Sequence, residues 1–479
     1  MNISEIQSSE TPNETTTLLS QTRQKTPLPK LQIGILMLVQ MAEPIASMSI
    51  YPYINQLIRE LGITGGNDAA VGYYAGIIES LFFITESLTV LQWSRLSDRI
   101  GRKPVLLVGL FGVGVSILCF GLSTSFWSLV VSRCICGMLN GSSGVMRSMM
   151  GELTDSTNMA QGFALIPITW CLGSFVGSIM GGSLARPQDR WPNLFPGRFW
   201  EKYPYFLPCA TAASVVFASF MLVFLLKETL ASKHDIPSDT VDHPAPEEPR
   251  SNESPSESMA NIPLRSLLIP SIMIPLANQT LFAFLDICIF ALMPLFYSTP
   301  NYLGGLGFAP PAIGLWMGLF GVMDGLFQTL FFAKIVDRLG PKRTFYIGVS
   351  CFIPIMISFP VMSLIIFSRG VDYIVTIALL CQLSLIVMWD MSLGSIFMFV
   401  TASAPAKNVL GAVNGMGQTT VSIGHAVGPM FAASIFAYSK EHNILGGHAV
   451  FVVLCIPAIG MLWLASYLPK ELQNRDEDA

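Results

Sequence analysis

Twelve stretches of about 20 mostly apolar residues, each long enough to cross the hydrocarbon of a bilayer, constrain this chain more than anything else in it. They fall at approximately 31–52, 71–93, 104–123, 126–146, 160–184, 205–226, 267–297, 311–333, 344–367, 372–402, 409–438 and 448–468. Inside hydrocarbon every backbone N–H and C=O must find its partner within the protein, which a helix arranges for itself and an open strand does not. The runs therefore predict an all-α membrane protein of twelve transmembrane helices. Only 12% of the 479 residues are charged, about half the roughly 25% of a soluble domain. A net charge of −4 supplies no basic field, so the expected partner is the lipid bilayer and no nucleic acid. The first thirty residues are polar and lack an apolar core. No cleavable signal peptide is expected, and the first membrane helix directs targeting.

One interruption, 228–264, differs in kind. Its centre, "KHDIPSDTVDHPAPEEPRSNESPSES", is rich in Pro, Ser and Glu and almost free of large apolar residues, a composition that predicts a disordered linker. It divides the spans six and six: a tail at 1–30, a bundle at 31–227, the linker, a second bundle at 265–469 and a tail at 470–479. Most of the 27 Lys and Arg residues fall on the side that holds the linker and both termini. The opposite side holds Arg59, Arg186, Arg190, Arg198, Lys202, Arg369 and Lys440. By the positive-inside rule, linker and termini are cytoplasmic.

The charges are densest in "WSRLSDRIGRK", Trp93 to Lys103, between the second and third runs. "AKIVDRLGPKR", Ala333 to Arg343, repeats the pattern between the eighth and ninth. Asp337 matches Asp98, Arg338 matches Arg99, Gly340 matches Gly101 and Lys342 matches Lys103, at a constant offset of 239 residues. A duplicated six-helix unit accounts for both the repeat and its position. A plain positive-inside anchor needs neither the Asp, nor the Gly, nor a second copy.

This Asp-Arg-x-Gly-Arg-Lys hairpin, with Ser94 where a glycine is usual, resembles the signature loop of the major facilitator superfamily. The resemblance covers essentially the whole chain outside the N-terminal tail and the linker. It implies the major facilitator fold, two pseudo-symmetric six-helix halves that rock about a midplane site. It also implies that Asp98 is a latch, set against a helix N-terminus across the two halves, with Arg99, Arg102 and Lys103 as its partners. "LVVSRCICG" resembles the family's R-x-x-x-G pattern, completed by Gly137, which is associated with proton coupling through Arg133; an arginine at that depth faces a polar cavity or a carboxylate. Gly173, Gly177, Gly181 and Gly182 in "GSFVGSIMGG" resemble the antiporter motif G-x-x-x-G-P-x-x-G-G, with Ser178 in place of its proline. "GHAVGPMFAA" brings Gly424, Gly428 and Pro429 as the matching half. Small residues four apart let two helix backbones approach closely. Within the superfamily, "ESLFFITESLTVLQWSRLSDRIGRKPVLL" and "ELTD" look most like the drug:proton antiporter group of fungi and plants, including zinc-induced-facilitator-like members.

Six carboxyl side chains lie inside the runs: Glu43, Glu79, Glu86, Asp286, Asp324 and Asp390. A buried carboxyl group that meets alternate sides of the membrane can load and release a proton, so these are the candidates for coupling. Glu43, directly before Pro44, and Glu86 rank first, then Asp286. Glu79 and Glu86 are seven apart and share a helix face. Others are expected to pair with Arg133 or to satisfy backbone freed near Pro44. His425 is the one intramembrane imidazole, and no Cys or His spacing suits zinc. No metal and no cofactor is expected, and the cysteines read as buried structural thiols. Sequons at Asn13 and Asn252 fall on cytoplasmic segments and Asn278 falls inside a span, so no glycosylation is expected. Glu14 with Leu18 and Leu19 has the spacing of an acidic dileucine sorting signal, which leaves plasma membrane and vacuole both open.

The resulting expectation is a secondary transporter, functional as a monomer. It would exchange protons for a small amphipathic organic substrate by alternating access, in efflux or vacuolar sequestration. The alternative is a transport-inactive sensor or interaction platform of the same fold. A membrane enzyme would need a paired His/Asp or His/Glu constellation at the membrane surface, and none occurs. If Asp98 is a latch, Asp98→Asn folds normally and slows substrate turnover. Transport assayed in vesicles checks this, and wild-type rates in that variant would remove the latch.

Overall fold

The computed structural model describes residues 27–154, 158, 162, 165–229, 268–403 and 410–469. The signal at Glu14, Leu18 and Leu19, the linker beyond Thr229 and the C-terminal tail lie outside the described residues. Among the described residues all regular structure is helical. In chain order the long helices are α1 (Lys30–Met48), α2 (Val71–Ile100), α3 (Arg102–Gly121), α4 (Phe126–Leu153), α5 (Leu165–Leu184), α6 (Phe206–Val223), α7 (Pro270–Ser298), α8 (Pro310–Leu339), α9 (Pro341–Arg369), α10 (Tyr373–Ser403), α11 (Leu410–Glu441) and α12 (Ala449–Ser466). Eleven are long and apolar enough to cross a membrane, and α2, bent by 42° beyond Val90, makes twelve. This is a multi-pass integral membrane protein.

The helices form two groups, α1–α6 and α7–α12, and the two most extensive helix contacts in the molecule join one group to the other: α5 to α8, and α2 to α11. Lipid tails are as apolar as leucine, so such contacts rest on close van der Waals packing. Glycines permit it. A β-carbon on Gly72 would lie 2.6 Å from Ala433 O, and one on Gly76 would lie 2.8 Å from Pro429 O. Gly182 and Gly314 meet directly between α5 and α8. Gly173, Gly177 and Gly181 face a different neighbour, α1, where a β-carbon on Gly177 would lie 2.6 Å from Ile45 O. Gly424 and Gly428 seat α11 on α7 at Phe284 and Ile287, and Gly137 seats α4 on α2 at Phe82 and Thr85.

Three helices are interrupted where polar residues sit. In α1 the helical segments are Lys30–Gln40 and Ala42–Met48, because Pro44 has no N–H to give the carbonyl of Gln40. α4 breaks at Asn140 and Gly141, between Phe126–Leu139 and Ser142–Leu153. Its freed Met138 carbonyl accepts from Trp93 Nε1 of α2 at 2.6 Å. α8 contains a π-helical turn at Gln328–Phe332, a form that recurs at functional sites.

The charged motifs differ from the link that the apolar runs predict. α2 continues as helix through Asp98, Arg99 and Ile100, and the link to α3 is Gly101 alone, at φ 104°. α8 likewise runs to Leu339, with Gly340 at φ 77° before α9. Ser, Arg, Leu and Asp sustain a helix, and the chain stops at the residue that tolerates a positive φ. Gly177→Ala is expected to lower the thermal melting point in detergent, by about 1–3 kcal/mol of overpacking. Gly460→Ala, where nothing lies within 4 Å, should leave it unchanged.

Candidate functional site

The hairpin end of the bundle is built around Arg102. Its guanidinium pairs with Asp98 at 2.5 Å and Glu152 at 2.8 Å, and donates to Ser97 Oγ at 2.6 Å. The backbone amides of Arg102 and Lys103, the first turn of α3, donate to the two carboxylate oxygens of Glu228 at 2.9 and 3.0 Å. A carboxylate there offsets the positive end of the helix dipole. Lys103 Nζ donates to the carbonyls of Phe224 and Leu226 beyond α6, at 2.8 and 3.1 Å. Thr229 donates to the other oxygen of Glu152. Asp98 therefore has its partner in its own half, and the acid at a helix N-terminus is Glu228, which the motif does not contain. In the second copy Lys342 Nζ donates to Ser466 O at 2.7 Å and to Leu468 O. Arg99, Asp337 and Arg338 are exposed.

The interior of the first group holds a bridged pair. The Asn140 side-chain amide donates to Glu86 Oε1 at 2.8 Å and to Glu43 Oε1 at 3.3 Å. The break in α4 places Asn140, the break in α1 places Glu43, and the part of α2 before its bend carries Glu86. Beside them is a cavity of about 20 Å³ lined by Glu43, Ser47, Phe82, Arg133, Cys136 and Asn140, room for one water molecule. Arg133 is buried, its guanidinium 4.7 Å from the Phe82 ring centre, a cation–π arrangement. Its Nε and the Oε2 of buried Glu79 have no hydrogen-bond partner. Among the described residues no ion pair joins Arg133 to a carboxylate; its guanidinium lies over the Phe82 ring at the wall of the polar cavity that Glu43 also lines.

The second group assembles the other three acids. Trp389 Nε1 donates to Asp286 at 2.9 Å, and Asp390 lies within hydrogen-bonding reach of Asp286. Trp389 is itself stacked on Phe282, ring centres 4.6 Å apart. Asp324 accepts from Gln328 of the π turn at 3.1 Å, and from Cys171 of α5 at 3.5 Å across the two groups. His425 sits 5.3 Å from the ring of Phe83, again across the groups. No set of three or more His, Cys, Asp or Glu suited to a metal ion occurs among the described residues.

The end opposite the hairpins is tied shut. Tyr302, just past α7, donates to Asp68 Oδ2 at 2.6 Å, and Arg59 pairs with Asp68 Oδ1 at 3.1 Å. The bond to Asp68 raises the Tyr302 hydroxyl above its ordinary pKa. Asn67 and Tyr73 donate to the two oxygens of Glu441 at the end of α11, at 3.1 and 3.5 Å. At the hairpin end, the hydrogen bond across the groups among the described residues is Arg147 to Gln418, at 3.5 Å. Neither the Asn140 bridge nor the far-end ties follow from the sequence motifs. The signal for Asn140 is an amide beside a glycine inside an apolar run.

The family model described as Major Facilitator Superfamily matches residues 36–429. The chain is 27% identical to the "Major facilitator superfamily multidrug transporter mfsB" of Aspergillus fumigatus, over 92% of this chain and 84% of that one. It is 26% identical to "Protein ZINC INDUCED FACILITATOR 1" of Arabidopsis thaliana, over 89% of each. A solved bacterial homologue of the human lysosomal transporter Spinster, described as inward-facing and unoccupied, superposes with a TM-score of 0.68 at 13% identity, over 93% of this chain and 98% of that one.

A hydrogen bond to a carboxylate contributes about 1.5–3 kcal/mol. Tyr302→Phe is therefore expected to speed amide hydrogen exchange at 67–73 and 300–305 by about tenfold or more, ~1.4 kcal/mol per factor of ten. Unchanged exchange would mean that the Tyr302–Asp68 tie does not hold the far end together.

Proposed function

The chain belongs to the major facilitator superfamily, and from that premise we propose that it exchanges protons for small amphipathic organic molecules, in efflux or vacuolar sequestration. It is a transporter by family; the coupling and the cargo are the proposal. The observation that carries it is the Glu43–Asn140–Glu86 bridge. A neutral amide gives each carboxyl group a hydrogen bond but no compensating charge. A proton added to or taken from the pair therefore changes the interaction strongly in a site screened from water. The neighbouring cavity, with the unpartnered Nε of Arg133 at its wall, offers room for one water beside the pair.

In this reading the halves divide at the linker, 31–227 and 265–469, and the hairpins lie in the cytoplasm. The ties of Tyr302 and Glu441 then close the outer face, and the hairpin face, where Arg147 to Gln418 is the hydrogen bond between the halves, is the side that opens. Loading or losing a proton stabilises one closure over the other only through contacts that differ between the two states. The candidates are the Asn140 bridge and the cross-half bond of Cys171 to Asp324. Asp98 and Arg102 belong to the state with the hairpin end open, with Glu228 capping α3 in both. The acids Asp286, Asp324 and Asp390, with Trp389 stacked on Phe282 and donating to Asp286, fit a cargo with an apolar body and a polar or positive head. A monomer contains every part of this arrangement.

Purified protein in vesicles with an imposed pH gradient should move protons when cargo from a panel of dyes and organic amines is added. Glu86→Gln is expected to abolish cargo-driven proton movement while cargo binding persists. Undiminished gradient-driven transport in that variant would remove the bridge from the mechanism.

A further inference from the structure

The turn between α11 and α12, at the far end, brings together two buried polar nitrogens without hydrogen-bond partners, Lys440 Nζ and His448 Nε2. Lys440, in the last turn of α11, is only 8% exposed, and its Nζ has no hydrogen-bond partner. Among the described residues no ion pair joins it to a carboxylate. Glu441 is next in the chain, but its two oxygens are taken by Asn67 and Tyr73. What Nζ faces instead is the ring of Phe436, 5.6 Å to the centre, and the backbone at Gly447: a β-carbon there would lie 3.2 Å from Nζ. Gly447 directly precedes His448, the N-cap residue of α12.

His448 places Nδ1 3.4 Å from the carbonyl of Leu445, while its Nε2 is buried without a partner. The His448 side chain does not cap α12, and the first amide of that 18-residue helix, Ala449 N–H, donates to Ser439 Oγ at 2.9 Å, a neutral partner that leaves the positive dipole end without a compensating charge. An ammonium buried against that end has the wrong sign for it. Burial and the charge of Lys440 together push the His448 imidazole below its ordinary pKa, as a missing negative charge would. His442, the other imidazole of the turn, is exposed and lies tilted against Tyr438, ring centres 4.3 Å apart. Residues 441–446, which cover the site, are exposed, and Asn443, Leu445, Gly446 and Gly447 hold it in a tight curl of positive φ.

We propose that this turn binds a small inorganic anion from solution, held between Lys440 Nζ and a His448 that takes up a proton at Nε2 as the ion enters, beside the N-terminus of α12. The ion supplies the charge that all three lack and pins the α11–α12 hairpin beside Glu441, whose ties close the far end. A phospholipid phosphate shares the chemistry, and the experiment separates the two sources.

Full-length protein in detergent is melted in chloride and in gluconate at equal ionic strength and pH, and in gluconate with added phosphatidylglycerol. Chloride should raise the melting point of the wild type saturably, by a few degrees. The rise should vanish in Lys440→Met, shrink in His448→Gln and persist in Lys202→Met. Wild-type protein should also broaden the chloride-35 resonance, reversed by bromide, a readout that does not depend on any variant folding. Equal melting in chloride and gluconate, or a chloride effect that survives Lys440→Met, overturns the site. Stabilisation by the lipid but not by chloride overturns the free ion in favour of a headgroup.

Discussion

Close backbone contact along two glycine-lined seams, α2 against α11 and α5 against α8, is what the rest of the molecule depends on. Between lipid-facing helices there is no hydrophobic drive to association, so adhesion grows only as the backbones come close enough for dense packing. Gly72 and Gly76 in one seam, and Gly182 and Gly314 in the other, remove the β-carbons that would hold the helices apart. Each seam crosses between the two helix groups. The groups thus touch along lines rather than faces, and the far-end bonds of Asp68 and Glu441 lie where those lines begin.

Against that apolar framework, the polar chemistry appears where helices are interrupted. Pro44 breaks α1 beside Glu43, and Asn140 and Gly141 break α4. The π turn of α8 brings Gln328 onto Asp324. A straight helix keeps its backbone groups to itself and offers neighbours only side chains at fixed spacing. An interruption redirects one side chain and frees a carbonyl, as at Met138, which Trp93 then takes. The Asn140 bridge needs two such interruptions in register. The Lys440–His448 turn is another place where charge is buried at a helix end, and there the chain supplies no acid of its own.

Much of the fold was legible in the residues. Apolar length and the repeated Asp-Arg-x-Gly motif suffice for twelve helices in two groups, because crossing a bilayer is a property of about 20 consecutive residues. Glu43 and Glu86 stood out as carboxyls in hydrocarbon, and the structure brings them onto one amide. The hairpins were harder to read: charges look like a loop, yet Asp98 and Arg99 extend α2 as helix. Asp68 with Tyr302, and Asn67 with Glu441, are separated by 234 and 374 residues. No local pattern marks either pair.

The sequence by itself determined how many helices are long and apolar enough to cross the membrane and that the charged hairpin occurs twice. Both are settled locally, by hydropathy and by repetition. Only the tertiary structure decided which acid meets which donor: Glu228 at the start of α3, and Glu43 with Glu86 on the Asn140 amide. Those choices depend on the rotation of each helix about its axis and on bends of a few tens of degrees, set by packing against neighbours far away in the chain.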